Sequence, residues 1–398
     1  MTLNDFLEHY DIKIYFQPII STVSKKVIGY EALTRGFSKS TAISPMQLFS
    51  EAKEHNLTFS FDKYVRALSI KKFVPYYQQN SALLLFLNFE SSLIDREFEF
   101  EEFDFYTICQ EEAILPSNIV LEIKEDKINN SESLKKFSAY FKAKGFNIAL
   151  DDFGVAGSTF DRLSLVKPDI VKIDRSLIYD INKNFINSEI IKAINKMCSK
   201  IGAIVLAEGV EQDCEILKCL KSDISIYQGF FFARPDEFIE TQDENINKKI
   251  ADISIANEKM LKEHKEKKEK LFDNTHIYSQ YVIDELIKLN PDNFSNKTLK
   301  EFLNNELKLE AIYLIDFDTA MQVGETIISG ETRKFFSPAK HGDSHYLKEY
   351  YYMTKNSKKH TFLSQKYISH ATGNMCRTFA KKFNHNATEY ILCLDIMI

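Results

Sequence analysis

The sequence predicts an α/β protein: a TIM-like (β/α)8 barrel followed by a smaller α+β domain. Three observations carry that expectation. Eight short apolar runs punctuate residues 12–235, separated mostly by longer segments of helical character. The runs are nearly continuous in apolar residues rather than alternating, as in strands covered on both faces. After about residue 240 the composition changes, giving way to a Lys- and Glu-rich stretch without Gly or Pro.

The candidate strands are, in order, 12–19, 28–33, 83–89, 119–123, 147–153, 169–174, 203–210 and 226–232. Segments 132–144 and 185–201 are candidate helices between them. Eight such strands fit the barrel, which typically takes ~250 residues. The first two lie close in sequence, so a strict strand–helix repeat fails at that point. Residues 244–270 read as one long helix, in which Ile246, Ile250, Ile253, Asn257 and Met260 form a seam of coiled-coil type. Two helical segments (276–289 and 296–307) and a mostly antiparallel sheet follow: 311–318, 321–329, 366–370, 376–383 and 389–398. The expected domains are a barrel over 1–240, a helical connector over 241–275 and a sensory or regulatory domain over 276–398.

Composition limits the function classes. A chain of 398 residues, 44% of them apolar, can bury two cores. A net charge of −6 argues against a dedicated nucleic-acid binder and leaves a small anionic ligand open. Six scattered Cys without a CxxC pair suit a reducing compartment. With no signal-peptide pattern at the amino terminus and no apolar stretch approaching the ~18–20 residues of a membrane span, the expectation is a cytoplasmic protein without membrane insertion.

Acidic residues interrupt the apolar runs where a purely structural strand has none. Glu31, Glu122, Asp151, Asp152 and Glu208 lie in or at the ends of the second, fourth, fifth and seventh candidate strands, with Asn88 in the third and Lys172 in the sixth. Burying unpaired carboxylates costs several kcal/mol each, so such a set calls for cations. The first 240 residues hold only His9 and His55, both outside the strands. An all-oxygen donor set suits Mg²⁺ or Mn²⁺ rather than Zn²⁺. The adjacent Asp151 and Asp152 could bridge two ions, the arrangement that clamps a phosphodiester for in-line displacement. Beside such ions Lys172 would orient or deprotonate a water, its proton affinity lowered by burial and positive neighbours, and Arg35 would fork a phosphate. The plainer alternatives are satisfied ion pairs in a barrel core, Lys172 as a salt-bridge partner only, and Arg35 as a structural fork.

The motif Glu31-Ala32-Leu33 followed by Arg35 resembles the signature of the EAL family of cyclic-di-GMP phosphodiesterases. The resemblance continues, in the family's order, through Gln17-Pro18-Ile19, Asn88, Glu122-Ile123-Lys124-Glu125, Asp151-Asp152-Phe153-Gly154, Lys172-Ile173-Asp174, Ala207-Glu208-Gly209-Val210-Glu211 and Gln228-Gly229-Phe230. It implies two ions, Mg²⁺ or Mn²⁺, held by Glu31, Asn88, Glu122, Asp151, Asp152 and Glu208. It implies that Lys172, Glu31 and Glu208 take part in catalysis and that Gln17, Arg35, Asp152 and Gln228 line the substrate groove. Glu125 corresponds to the glutamate holding the loop after the fifth strand, and Glu211 to a supporting acid. The implied reaction converts cyclic di-GMP to linear pGpG, with a homodimer as the implied assembly.

Three positions depart from the family pattern. Val155-Ala156-Gly157-Ser158-Thr159 replaces the usual Thr-Gly-x-Ser-Ser, Lys124 stands at a usual Thr, and Glu90 at a usual Ser. The carboxyl-terminal third resembles a PAS-like or Cache-like sensor as found in some Bacillus EAL proteins, responding to an unidentified small molecule or protein. His341, His345 and His370 there are candidates for a metal cluster or, more simply, scattered histidines. Two function classes follow: a phosphodiesterase regulated by its terminal domain, and a non-catalytic receptor that signals cyclic-di-GMP occupancy to a partner.

Overall fold

The computed structural model describes residues 1–398 except 40, 96–99, 104, 125–127, 129, 156–159, 240–242, 290–295 and 304–305, and excepting also the side chains of 100, 101, 243 and 296–298. The chain divides into two compact units, Met1–Lys259 and Met260–Ile398.

Nine strands make the sheet of the first unit: β1 (Asp11–Ser21), β2 (Lys26–Ser38), β3 (Thr41–Ile43), β4 (Leu84–Asn88), β5 (Ile119–Lys124), β6 (Asn147–Phe153), β7 (Ile170–Ile173), β8 (Ile204–Ala207) and β9 (Ile226–Tyr227). The order β1-β9-β8-β7-β6-β5-β4-β2 closes through β1–β2 pairing into an eight-stranded barrel, with short β3 outside it on β2. Strands β2 and β4 to β9 run parallel, while β1 is antiparallel to both of its neighbours. That inversion explains why the first two apolar runs lie so close: an antiparallel pair needs only a tight connection. The last run is shorter than expected, because a turn takes over after Tyr227. Lys249 donates to the carbonyls of Phe231 (2.5 Å) and Phe232 (3.1 Å) and pins that turn.

Inside the barrel, Ile19, Phe86, Val120, Ala149, Ile170 and Leu206 form one apolar layer. Side chains alternate along a strand, so the residue two positions on faces the same interior, one layer nearer the mouth. For β4 to β9 those residues are Asn88, Glu122, Asp151, Lys172, Glu208 and, beyond Ile226, Gln228. On inverted β1 the step runs backwards, from Ile19 to Gln17, which is paired with Glu31 of β2. The apolar layer is the floor of the site, and strand direction decides which end of it carries chemistry.

The expected seam on the long helix is not a free apolar face. The helix spans Asp243–Ile287, and Ile246, Ile250 and Ile253 are buried in the barrel unit's own core. The spacing that suits a coiled coil also suits one helix lying on its own domain. No break separates 244–270 from 276–289, since neither Gly nor Pro stands between them.

The second unit is an antiparallel sheet of β10 (Leu309–Asp316), β11 (Gln322–Ile328), β12 (Thr361–Leu363), β13 (Tyr367–Ile368), β14 (Met375–His385) and β15 (Thr388–Met397). Its order is β11-β10-β15-β14-β12, with β13 on β14. Val282, Ile283 and Leu286 pack on one cluster of this sheet, and Tyr350 and Tyr351 of the helix Glu349–Asn356 join another. No helix among the described residues is long and apolar enough to cross a membrane.

Candidate active site

The barrel mouth gathers the predicted acids around one lysine. Lys172 Nζ lies 2.5 Å from Glu122 Oε1, 2.6 Å from Glu208 Oε1, 3.3 Å from Asp151 Oδ1 and 3.6 Å from Glu31 Oε2. Only 1% of the lysine side chain is exposed. Asn88 Nδ2 donates to Glu31 Oε1 at 2.7 Å. Gln228 Nε2 donates to Glu31 Oε2 (2.6 Å) and Gln17 Oε1 (3.0 Å), while Gln17 donates to the Ala233 carbonyl. Glu31 is therefore oriented by two amides, an arrangement that needs β1, β2, β4 and β9 together.

Asp151 and Asp152 break the strand rule productively. Adjacent residues of a regular strand face opposite ways, but the β6–β7 register shifts between Leu150 and Phe153. Asp152 adopts φ +53°, a left-handed conformation that Asp tolerates better than most residues. As a result Asp151, Asp152 and Glu208 each place a carboxylate oxygen within 4.8 Å of the others. At the next strand but one, Gly209 follows Glu208 with φ +63°, and a Cβ there would sit 2.8 Å from the Arg175 Cβ. Arg175 hydrogen-bonds the Gly209 carbonyl and pairs with Glu211 at 2.9 Å, which fixes the loop carrying Glu208.

Lys124 is the site residue that motif reading leaves unexplained. It stands two residues beyond Glu122 on β5 and opposite Asp151 in the β5–β6 register. Its ammonium is bonded to Asp152 Oδ2 and lies 3.5 Å from Asp151 Oδ2. The signal was available in sequence as strand alternation from Glu122, but the partner is set only by the register.

The electrostatics follow from this crowding. Burial first, and then neighbouring carboxylates, hold the Glu122 and Glu208 carboxyls well above the usual range, against the pull of Lys172. Asp151 stays below its ordinary value, because Lys172 and Lys124 together outweigh its burial. Burial would lower the Lys172 pKa, yet Asp151, Glu122, Glu208 and Glu31 raise it well above the ordinary value. Without bound ions the group is therefore held as an ammonium by its carboxylate neighbours. Lys124 is likewise raised by Asp151 and Asp152 against its own partial burial.

A divalent ion fits the donor set. Two ammoniums face five carboxylates, leaving excess negative charge. Among the described residues Glu122 Oε2 is buried without a hydrogen bond, and Glu122 Oε1, Asp151 Oδ1 and Glu208 Oε1 all depend on the single Lys172 ammonium. Unsatisfied buried carboxylate oxygens of this kind are what hard cations coordinate.

Arg35 lies four residues along β2 from Glu31, half-buried, stacked over Tyr15 at 5.7 Å and bonded to the Thr34 carbonyl. It joins the same strand face but is not ion-paired with the acidic cluster. Glu125 and residues 156–159 lie outside the described residues. The three candidate histidines have separate partners: buried His345 bonds Tyr350 and Gln322, His341 accepts from Gly324 N, and His370 rests near Phe336.

Comparison with known proteins agrees with this architecture. The chain is 24% identical over 383 residues, 93% of itself and 91% of its relative, to the uncharacterized EAL-domain containing protein YkuI of Bacillus subtilis. It is 29% identical over 235 residues to the cyclic di-GMP phosphodiesterase PdeA of Borreliella burgdorferi, spanning 58% of this chain and 34% of that protein. Its fold matches the crystal structure of Bacillus subtilis YkuI in complex with substrate c-di-GMP and calcium, with a TM-score of 0.78 at 24% identity over 98% of this chain and 96% of that one. It also matches the Klebsiella pneumoniae BlrP1 manganese/cy-diGMP complex at a TM-score of 0.52 and 24% identity, covering 56% of each chain. Since residues 2–235, more than half of its length, match the EAL domain, the chain belongs to the EAL domain family.

Proposed function

We propose that the chain hydrolyses one phosphodiester bond of cyclic di-GMP, giving linear pGpG, with Mg²⁺ or Mn²⁺ as cofactor. The observation that carries this reading is the buried Lys172 ammonium shared among the four carboxylates of Glu31, Glu122, Asp151 and Glu208. Glu31, Asn88, Glu122, Asp151, Asp152 and Glu208 would hold the metal, two ions in all. When bound, the metal neutralises phosphate charge and makes water more acidic.

The chain's own residues do the rest. Water adds to phosphorus, the bridging P–O3′ bond breaks with its electron pair on O3′, and O3′ takes a proton from solvent to become the free 3′-hydroxyl of linear pGpG. Lys172, as an ammonium, donates a hydrogen bond to the water oxygen and holds it in line, while Glu208 accepts the proton given up. Gln228 and Asn88 orient Glu31, and Gln17 and Gln228 line the groove for the nucleotide. Arg35 contributes a guanidinium fork to a phosphate at the groove edge. Glu211 supports the adjoining loop through Arg175. The barrel is taken as the catalytic domain and the terminal sheet domain as its regulator, as in the division into 1–240, 241–275 and 276–398.

The test is product analysis of the full chain incubated with cyclic di-GMP and Mn²⁺, beside Glu31→Ala. Linear pGpG from the parent alone supports the reading. Binding without turnover would favour the receptor reading, in which Lys124 seated on Asp152 and close to Asp151 holds part of the metal site shut.

A further inference from the structure

The acidic cluster is shared between two ammoniums in an ordered way. Lys172, on the barrel floor side, takes Glu122, Glu208 and Asp151 Oδ1. Lys124 takes the outer oxygens, Asp152 Oδ2 and Asp151 Oδ2. Alternation along β5 puts Lys124 one layer nearer the mouth than Glu122, and its register with Asp151 places its stem beside the left-handed Asp152. The two lysines differ in freedom. Lys172 is enclosed, whereas 38% of the Lys124 side chain is exposed, so its head can leave the aspartates for water without breaking the core.

We propose that Lys124 is a tethered cation that competes with a divalent ion for Asp151 and Asp152. The outer metal position then fills only at divalent concentrations well above those that fill the position beside Glu31 and Glu122. The chain thereby carries a built-in concentration threshold for its second ion. This rests on the two-ion reading of the site, but its test needs no hydrolysis.

Calorimetric Mn²⁺ titration of the full chain, without nucleotide, compares the parent with Lys124→Thr, Lys124→Met and Lys124→Arg. Removing the charge in the Thr and Met variants is expected to tighten the weaker binding event at least about tenfold and leave the tighter one within about twofold, since a charge a few ångströms away contributes at this scale. Lys124→Arg, which keeps the charge, is expected to behave like the parent. Unchanged or weaker Mn²⁺ binding in the Thr and Met variants overturns the proposal, as does the absence of Mn²⁺ binding by every chain. Tightened binding together with absent hydrolysis would leave the competition standing and remove the phosphodiesterase reading alone.

Discussion

Lys172 Nζ and Glu122 Oε1 lie 2.5 Å apart at the centre of the barrel mouth, both side chains essentially sealed from water. Neither charge is tenable there without the other, and the remaining acids make the lysine the hub of the cluster. Replacing Lys172 by Met leaves Glu31, Glu122, Asp151 and Glu208 without it. Breaking a buried pair in this way costs ~3–5 kcal/mol. The expected outcome is a lowered melting temperature without divalent ions, partly restored by Mn²⁺, and a loss of turnover of at least about a hundredfold. Thermal unfolding with and without Mn²⁺ checks the first part and initial rates the second.

Metal-free stability should fall as pH rises. Glu122 and Glu208 have pKa values raised well above the ordinary carboxylate value by burial and by neighbouring acids. Asp62 and Asp395, both fully buried, are pushed up to about 6. A group with a raised folded-state pKa contributes stability that is complete below its unfolded value and lost as pH climbs through the folded one. For the two aspartates that window runs from 3.8 to about 6. Asp151, lowered by Lys172 and Lys124 against burial, has the opposite sign but acts only below the ordinary aspartate range. Melting in a chelator should therefore occur at lower temperature near about pH 8 than near about pH 5, and Mn²⁺ should flatten the slope by displacing the same protons.

Arg66 and Asp62 form a second buried pair, one helical turn apart, with Asp62 accepting from the Glu90 backbone N–H. The guanidinium is stacked against Phe89 (4.7 Å), Phe103 (5.6 Å) and Phe105 (4.3 Å). Asp62→Ala leaves that cation unpaired and is expected to cost ~3–5 kcal/mol. The double variant Asp62→Leu with Arg66→Met should recover most of it. Denaturant unfolding of Asp62→Leu, Arg66→Met and the double variant measures the coupling.

Ile250 belongs to the barrel's own core. Ile250→Ala is expected to lower stability by ~2–4 kcal/mol while leaving the sedimentation mass unchanged. A shift in oligomeric state without a stability change would restore the seam as an interface between copies.

Much of the site was legible because charge is conspicuous in an apolar run. Glu122, Asp151 and Lys172 each interrupt a strand that buries everything around them, and the all-oxygen donor set follows from the shortage of histidine. What stayed hidden depends on partners distant in sequence. Asp62 and Arg66 have i,i+4 spacing, and nothing local to them shows that Phe89, Phe103 and Phe105 close over the pair from other segments. Lys124 stood out as an unusual residue within a motif, yet only the β5–β6 register shows that it meets Asp151 and Asp152. The isoleucines at 246, 250 and 253 show the limit of periodicity: the spacing reports an apolar stripe and not what covers it.

The proposed metal-dependent hydrolysis rests on the Lys172-centred cluster. The most direct measurement is chromatographic separation of nucleotides after incubating the full chain with cyclic di-GMP and Mn²⁺, with Glu31→Ala and a chelator control alongside. Linear pGpG is expected from the parent with Mn²⁺ and unchanged cyclic dinucleotide in both controls. Intact cyclic di-GMP in all three reactions at saturating Mn²⁺, or equal pGpG from Glu31→Ala, would contradict it.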